Sequence, residues 1–271
     1  MRFISGGFRG SVGSTRGRIA TVNLLIFGGT GRTGRALVEQ ALEQGHVVTV
    51  FARSPTKLGM AHENLRVMKG DIADYDSVEI AIKAQDAVLS ALGTRPHVGL
   101  VVILVVICQV IARTLALSGI FNLLLRIAVP LLILLIFAGK KTTLSNGTKS
   151  IVKAMGKLGV KRFICESSLG VGGSKGRLGL LYTYFLIPLF LRGLFADKEV
   201  QERIIGDSVL DWVIVRPAAL TNGPRRGAYR HGEDIGHWLF TRKISRSDVA
   251  DFMLKQLTEN EYLHRTPGVS Y

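Results

Sequence analysis

Three glycines at a spacing of three residues, Gly28, Gly31 and Gly34, are the feature of the sequence best suited to chemistry. Gly28 can adopt backbone angles that a side chain would forbid, and Gly31 lets the backbone approach a ligand closely. Gly34 would let a following helix pack on the preceding strand. The N–H groups at the start of that helix would favour a diphosphate. The pattern predicts a dinucleotide-binding turn, and a glycine-rich turn without a ligand is the alternative.

The residues around this turn have the pattern of a β-α-β unit. The apolar run Val22–Phe27 predicts a buried strand, and the residues after Gly34 place apolar side chains on one helical face. Gly45 is typical of a helix C-terminus, and Val47–Phe51 predicts a second strand. A glycine triplet between a strand and a helix is a far more specific signal than the triplet alone.

The end of the second predicted strand indicates which nicotinamide cofactor would bind. Enzymes that use NAD place a carboxylate there for the ribose 2′-hydroxyl. This chain instead has Arg53 and Ser54, with Lys57 nearby. Arg53 can pair with a 2′-phosphate through two hydrogen bonds, and Ser54 can donate to the same group. We therefore expect NADP(H), the alternative being that Arg53 is a solvated surface charge.

The remaining pattern predicts an α/β fold, a Rossmann-type doubly wound parallel sheet in one domain over residues 22–271. Further strands are predicted at Asn64–Met68, Ala87–Ala91, Arg162–Cys165 and Trp212–Val215. A helix is predicted at Lys149–Leu158.

Several residues at the predicted strand ends could contact ligands. Asp71 could accept a hydrogen bond from the adenine amine, and Ile72 could pack on the ring. Ser167 could donate a hydrogen bond to the substrate or the carboxamide, with a strand-end cap as the alternative. Pro217 would direct the chain out of the sheet beside the nicotinamide. We predict no metal site.

The segment from Val98 to Gly139 is almost continuously apolar, with Arg113 and Arg126 as its charged residues. None of its uncharged runs reaches the roughly 18–20 residues that span a bilayer. Residues 98–139 could form a membrane helix or hairpin, an apolar insertion packed on the domain, or a non-native stretch such as retained intron sequence. Another apolar stretch, Leu178–Phe195, is predicted to form a substrate-side helix or lid, with core packing as the alternative.

The composition and charge indicate which partners and which location to expect. The net charge is +15, yet no basic stripe is interleaved with aromatic residues, so we expect no nucleic-acid partner. Residues 1–21 are basic and free of acids, which is typical of a mitochondrial transit peptide or of a disordered tail. We predict a cytoplasmic protein with membrane contact through residues 98–139 as one option and a mitochondrial location as the alternative. The sequence leaves the oligomeric state open.

The chain resembles the atypical short-chain dehydrogenase/reductase superfamily in its NAD(P)H-binding, NmrA-like branch, and most closely the NADPH-dependent flavin reductase/biliverdin-IXβ reductase group. The resemblance covers about residues 22–97 and 140–265 and includes I-F-G-G-T-G-R-T-G, V-T-V-F-A-R-S, C-E-S-S and D-W-V-I-V-R-P. It implies that NADPH is bound by Gly28, Thr30, Gly31, Arg32, Thr33, Gly34, Arg53, Asp71, Ile72, Leu92, Gly93 and Arg95. The chain departs from that group at Ala219, where the group has histidine, and at residues 98–139.

The chain also lacks the Tyr-x-x-x-Lys pair with which many short-chain dehydrogenases transfer a proton. We therefore expect hydride transfer from NADPH to a planar conjugated small molecule such as a flavin, quinone or tetrapyrrole. A non-catalytic NADP(H)-binding regulator and a membrane-anchored assembly or scaffold protein are the alternatives.

Overall fold

The computed structural model describes residues 21–93 and 142–271. Within these ranges the core is an eight-stranded sheet with the order β3-β2-β1-β4-β5-β6-β10-β8. Its strands are β1 (Asn23–Phe27), β2 (Val47–Ala52), β3 (Leu65–Lys69), β4 (Ala87–Ser90), β5 (Arg162–Glu166), β6 (Asp211–Pro217), β8 (Arg230–Gly232) and β10 (Gly268–Ser270). Neighbouring strands are parallel except for β8, which runs antiparallel to β10. β7 (Ala219–Thr221) and β9 (Lys243–Ser245) form a separate parallel pair.

Helices cover both faces of the sheet, as the predicted doubly wound fold requires. They are α1 (Arg32–Glu43), α2 (Tyr75–Ile82), α3 (Thr143–Leu158), α4 (Arg192–Gly206) and α5 (Arg246–Lys255). A helix of the π type, Leu181–Leu191, leads into α4. α1 packs against α5 in one apolar core, and α3 packs against α2 and α4 in the other. The α/β Rossmann-type prediction is therefore confirmed.

The strand order reverses between β1 and β4, the point at which ligands bind in doubly wound sheets. The chain leaving β1 enters the glycine turn, and the chain leaving β4 reaches Leu92. A Cβ atom on Gly28 would lie 2.5 Å from the carbonyl oxygen of Ala91. The fold thus brings these two connections into direct contact.

The predicted start of α3 at Lys149 is wrong, because the helix begins at Thr143. The carboxylate of Asp197, on α4, accepts hydrogen bonds from the N–H groups of Leu144 at 2.9 Å and Ser145 at 3.1 Å. A buried carboxylate from a distant part of the chain thus extends the helix by one and a half turns or more, and local sequence gives no sign of it. The short strands β7 to β10 were not predicted either.

Two of the predicted segments cannot be compared with the structure. Residues 98–139 and nearly all of residues 1–21 lie outside the described residues. Within residues 21–93 and 142–271, no helix is both long and apolar enough to cross a membrane.

Candidate active site

The glycine turn has the geometry of a tight strand-to-helix connection. Gly28 has a φ of +80°, and its carbonyl oxygen accepts a hydrogen bond from the Gly31 N–H at 2.8 Å. A Cβ atom on Gly34 would lie 2.1 Å from the same carbonyl oxygen, so no larger residue fits there. Gly34 therefore packs against the turn itself rather than against the strand that we expected it to contact.

The first turn of α1 is suited to an anion. Gly31 is the N-cap residue, so no side chain caps the helix, and the first turn contains no acidic residue. The N–H groups of this turn and the positive end of the helix dipole are therefore available to a ligand. This uncapped, glycine-lined helix start fits a dinucleotide diphosphate.

The end of β2 carries a cluster of cations. Arg53 is exposed, Ser54 is half-buried, and Lys57 lies in the turn that follows. The guanidinium of Arg35, from the first turns of α1, donates a hydrogen bond to the carbonyl oxygen of Lys57. Arg35 was missed by sequence reasoning because only this long-range contact brings it to the predicted 2′-phosphate position.

The residues predicted to hold the adenine lie at the end of β3. Asp71 is exposed, and its carboxylate accepts a hydrogen bond from the Ala73 N–H at 3.0 Å. Ile72 is half-buried, and it packs so closely on α3 that a Cβ atom on Gly147 would lie 2.5 Å from its Cδ1. Ile72 is therefore held by the protein on one side.

A cavity of about 630 Å³ opens at the carboxyl end of the sheet, beside the glycine turn. Of the predicted site residues, Gly31, Arg32, Thr33, Leu92, Gly93, Ser167 and Pro217 line it. One wall is apolar and aromatic and consists of Leu178, Tyr182, Leu191, Leu194 and Phe195. The stretch predicted to be a substrate-side helix thus forms a wall of the cavity. The predicted cofactor residue Arg95 lies outside the described residues.

Ser167 is tied into a buried polar network. Its hydroxyl donates to Oε1 of Glu202 at 2.5 Å, and Glu202 pairs with Arg216 through contacts of 3.0 and 2.6 Å. Lys198 Nζ donates to the Ser167 carbonyl oxygen at 3.0 Å. Because the Ser167 proton points at Glu202, the hydroxyl can accept a hydrogen bond in the cavity rather than donate one as we expected.

Glu166 is a cavity-lining carboxylate that sequence reasoning missed. It is 7% exposed, and its Oε1 accepts a hydrogen bond from Thr33 Oγ1 at 3.2 Å. Burial raises the pKa of Glu166, and the charges of Lys198 and Arg246, together with the Thr33 hydrogen bond, counteract part of that rise. The available signal was an acidic residue directly after the apolar residues Phe163–Cys165 of a predicted strand.

The lining of the cavity also contains cations. Lys198 and Arg246 both line it, as does Arg32 from the glycine turn. Burial lowers the pKa of the Arg246 guanidinium, and the nearby charge of Arg32 lowers it further. Such an arrangement suits a ligand with a flat apolar body and an anionic group.

Comparisons with known proteins show which family the chain belongs to. An NAD(P)H-binding family model matches residues 28–123 and 128–260. An uncharacterised chloroplast protein of Arabidopsis thaliana is 26% identical over 92% of this chain and 76% of its own length. The photosystem II assembly factor Ycf39 of Synechocystis is 35% identical, but the match spans only 27% of this chain and 23% of that protein.

A solved structure shares the fold across nearly the whole molecule. The anaerobillin reductase ChuY of Escherichia coli O157:H7 superposes with a TM-score of 0.63 at 18% identity, covering 92% of this chain and 96% of that one. The family model matches both the glycine turn and the residues of the cavity walls, and the assignment of the chain to a family rests on it. The chain belongs to the NAD(P)H-binding, NmrA-like branch of the atypical short-chain dehydrogenases/reductases.

Proposed function

We propose that the protein is an NADPH-dependent reductase that transfers a hydride to a planar conjugated acceptor. The observation that carries the proposal is the cavity itself, which joins an uncapped glycine-lined helix start to an apolar aromatic wall. A dinucleotide held at the helix start would extend along the carboxyl end of the sheet toward that wall.

The residues that would hold the cofactor follow the order of the strand ends. The diphosphate would contact the glycine turn and the first turn of α1, and the 2′-phosphate would contact Arg53, Ser54 and Arg35. The adenine would lie near Asp71 and Ile72, and the nicotinamide half would lie near Leu92, Gly93 and Pro217. Bound NADPH would supply the hydride.

Reduction of a conjugated acceptor also consumes a proton, and Glu166 is placed to hold it. Glu166 lines the cavity, and burial raises the pKa of its carboxyl group, which favours the protonated form. Glu166 would release its proton to the reduced acceptor and regain one from solvent. Ser167 would serve as a hydrogen-bond acceptor beside it.

The walls of the cavity favour one kind of acceptor. The apolar wall fits a flat ring system, and the cations Lys198 and Arg246 in the same cavity fit a carboxylate or phosphate on that ring system. Flavin mononucleotide and linear tetrapyrroles have both features, whereas a simple quinone lacks the anionic group. The shared fold of the anaerobillin reductase lends support to the tetrapyrrole class.

Oxidation of NADPH by the purified protein tests this proposal, with flavin mononucleotide, biliverdin and a quinone as acceptors and with NADH in parallel. We expect turnover that prefers NADPH and an anionic acceptor. Tight NADPH binding without turnover on any acceptor would contradict the enzyme and favour the second candidate, a non-catalytic NADP(H)-binding regulator or assembly factor. The local match to Ycf39 is what favours that candidate.

The location of the protein is a separate proposal. The chloroplast relative supports import into an organelle, with residues 1–21 as the targeting segment in place of the cytoplasmic location we expected first. A fluorescent fusion of the full chain and one that lacks residues 1–21 would test this. Identical distributions of the two fusions would contradict it.

A further inference from the structure

An exposed apolar surface lies on the outer side of the helix Leu181–Leu191 and on the loop at residues 237–240. Its side chains are largely open to solvent, with Tyr184 67%, Trp238 65% and Phe240 66% exposed. We call this surface the apolar face, and its members are Leu181, Tyr184, Phe185, Leu189, Trp238, Leu239 and Phe240. Exposed aromatic residues clustered in this way mark an interaction surface.

The two stretches are held side by side as one surface. The His237 N–H donates to the carbonyl oxygen of Arg177 at 2.9 Å, and Thr241 Oγ1 donates to the carbonyl oxygen of Leu178 at 3.0 Å. The ring of His237 stacks on Trp238 and on Phe240, with centroid distances of 6.2 and 5.4 Å. The exposed rings are therefore presented by a hydrogen-bonded framework.

The charge beside the apolar face is mostly basic, and the exposed acid next to it, Asp234, is paired with Arg177 at 3.3 Å. No acidic residue occurs from Leu169 to Ala196 or from Ile235 to Ser247. Arg192 and Lys243 are exposed at the ends of the two stretches, with Arg242 beside Lys243. The whole chain carries a net charge of +15. An apolar centre with a basic rim is complementary to an anionic lipid surface.

We propose that the apolar face docks on the surface of an anionic lipid bilayer. Trp and Tyr side chains suit the boundary between lipid and water because they combine a large apolar ring with a polar group. The helix Leu181–Leu191 has 11 residues, too few to span a bilayer, so it would lie in the plane of the interface.

Docking would place the reaction cavity next to the membrane. The inner side of the same stretch, at Tyr182 and Leu191, lines the cavity. An acceptor that combines a flat apolar ring system with an anionic group, and that partitions to the bilayer surface, would therefore reach the cavity along this wall. This consequence rests on the proposed reductase function, whereas the docking itself does not.

Fluorescence of Trp238 gives a direct test with the full-length protein. In a Trp212→Phe background, Trp238 is the single remaining tryptophan, because the chain has two. We expect a blue shift and quenching by brominated lipids when vesicles of phosphatidylcholine and phosphatidylglycerol are added, and little change with phosphatidylcholine alone. Vesicle binding that leaves Trp238 unquenched would overturn the proposal and place the membrane contact elsewhere in the chain.

Substitutions test whether the apolar face, rather than another part of the chain, makes the membrane contact. We expect Trp238→Ser combined with Phe240→Ser to weaken vesicle binding by about tenfold or more, because two aromatic rings no longer insert. Val209→Ser is the matched control, because Val209 is 91% exposed in a different turn, and it should leave binding unchanged. Unfolding temperatures of both variants should equal that of the wild type.

Two other outcomes would also overturn the proposal. Absence of vesicle binding together with a dimer that Trp238→Ser/Phe240→Ser dissociates would assign the face to a second copy of the chain. Equal loss of binding in the Val209→Ser control would show that the effect is unspecific. NADPH oxidation measured without vesicles reports on the reductase separately, so failure of docking is distinguishable from failure of the proposed function.

Discussion

Thr33 and Glu166 are hydrogen-bonded across 3.2 Å, although they lie 133 residues apart in the chain. Thr33 belongs to the first turn of α1, where the cofactor diphosphate would bind, and Glu166 ends β5 in the reaction cavity. The contact therefore links the cofactor end of the site directly to the group that we propose as the proton donor.

This link leads to a prediction about pH. Because the proposed proton donor is the protonated form of Glu166, turnover should fall as the pH rises through its raised pKa. Glu166→Gln should remove this fall of turnover at high pH, the alkaline limb of the pH profile, and should lower turnover by about 10²-fold or more. Thr33→Val should move the limb to higher pH, since the Thr33 hydrogen bond lowers the pKa of Glu166. Steady-state rates across the pH range would measure both effects, and an unchanged limb in Glu166→Gln would contradict the role.

The same carboxyl group predicts a change in stability. The folded protein binds the Glu166 proton more tightly than the unfolded chain does, since burial raises the pKa. The free energy of unfolding should therefore fall as the pH rises from the ordinary glutamate pKa through the raised one. Glu166→Gln should abolish this loss of stability. The free energy of unfolding of the variant should therefore exceed that of the wild type at neutral pH, and the difference should vanish below the ordinary glutamate pKa. Urea unfolding of the variant and the wild type, at neutral pH and at a pH below the ordinary glutamate pKa, would measure this difference.

Cofactor preference should depend on Arg53. Replacing it with Asp removes a charge-assisted hydrogen bond worth roughly 1.5–3 kcal/mol, so NADPH affinity should drop about tenfold or more. NADH affinity should stay the same or improve, because a carboxylate can hold the ribose 2′-hydroxyl. Calorimetric titration with both cofactors would measure this.

The control for Arg53 is Arg66→Asp, which reverses an exposed charge on the neighbouring strand β3 without touching the predicted site. It should preserve the preference for NADPH. A wild type that binds the two cofactors equally well would contradict the assignment of Arg53.

Replacement by alanine should have different effects at two of the glycines. Gly34→Ala would put a Cβ atom 2.1 Å from a backbone oxygen, so it should lower both the unfolding temperature and cofactor affinity. Gly93 lines the cavity, and a Cβ atom there would meet nothing within 4 Å. Gly93→Ala should therefore keep the unfolding temperature and weaken cofactor binding alone. Unchanged affinity in Gly93→Ala would show that the cofactor does not pass close to this residue.

The ion pair of Arg216 with Glu202 should be sensitive to removal of one partner. Both side chains are less than a tenth exposed, so Arg216→Met leaves a buried carboxylate uncompensated. We expect a loss of about 3–5 kcal/mol in the free energy of unfolding. The double variant Arg216→Met/Glu202→Leu should regain most of it, because neither charge of the pair is then left buried without its partner. Denaturant unfolding of the two variants tests this, and equal losses in both would show that packing rather than charge is responsible.

The sequence by itself determined the class of fold and the position of the cofactor turn. The glycine spacing, the apolar runs and the acid-free end of the second strand are local patterns, and the physics behind each acts within a few residues. For this reason the β-α-β unit, the doubly wound class of the sheet and the family were predictable. The N-cap of α5 is local in the same sense, because the Ser245 side chain accepts a hydrogen bond from the N–H of Asp248 only three residues away.

Only the tertiary structure decided which side chains meet in and around the candidate site. Glu166 faces Thr33, Arg35 reaches Lys57, and Ser167 donates to Glu202. None of these pairs is close in the sequence, and each depends on how the helices lie on the sheet. The start of α3 has the same origin, since it is capped from α4 by Asp197. Long-range contacts of this kind depend on packing, and therefore the polar network around the site could not be predicted from sequence patterns.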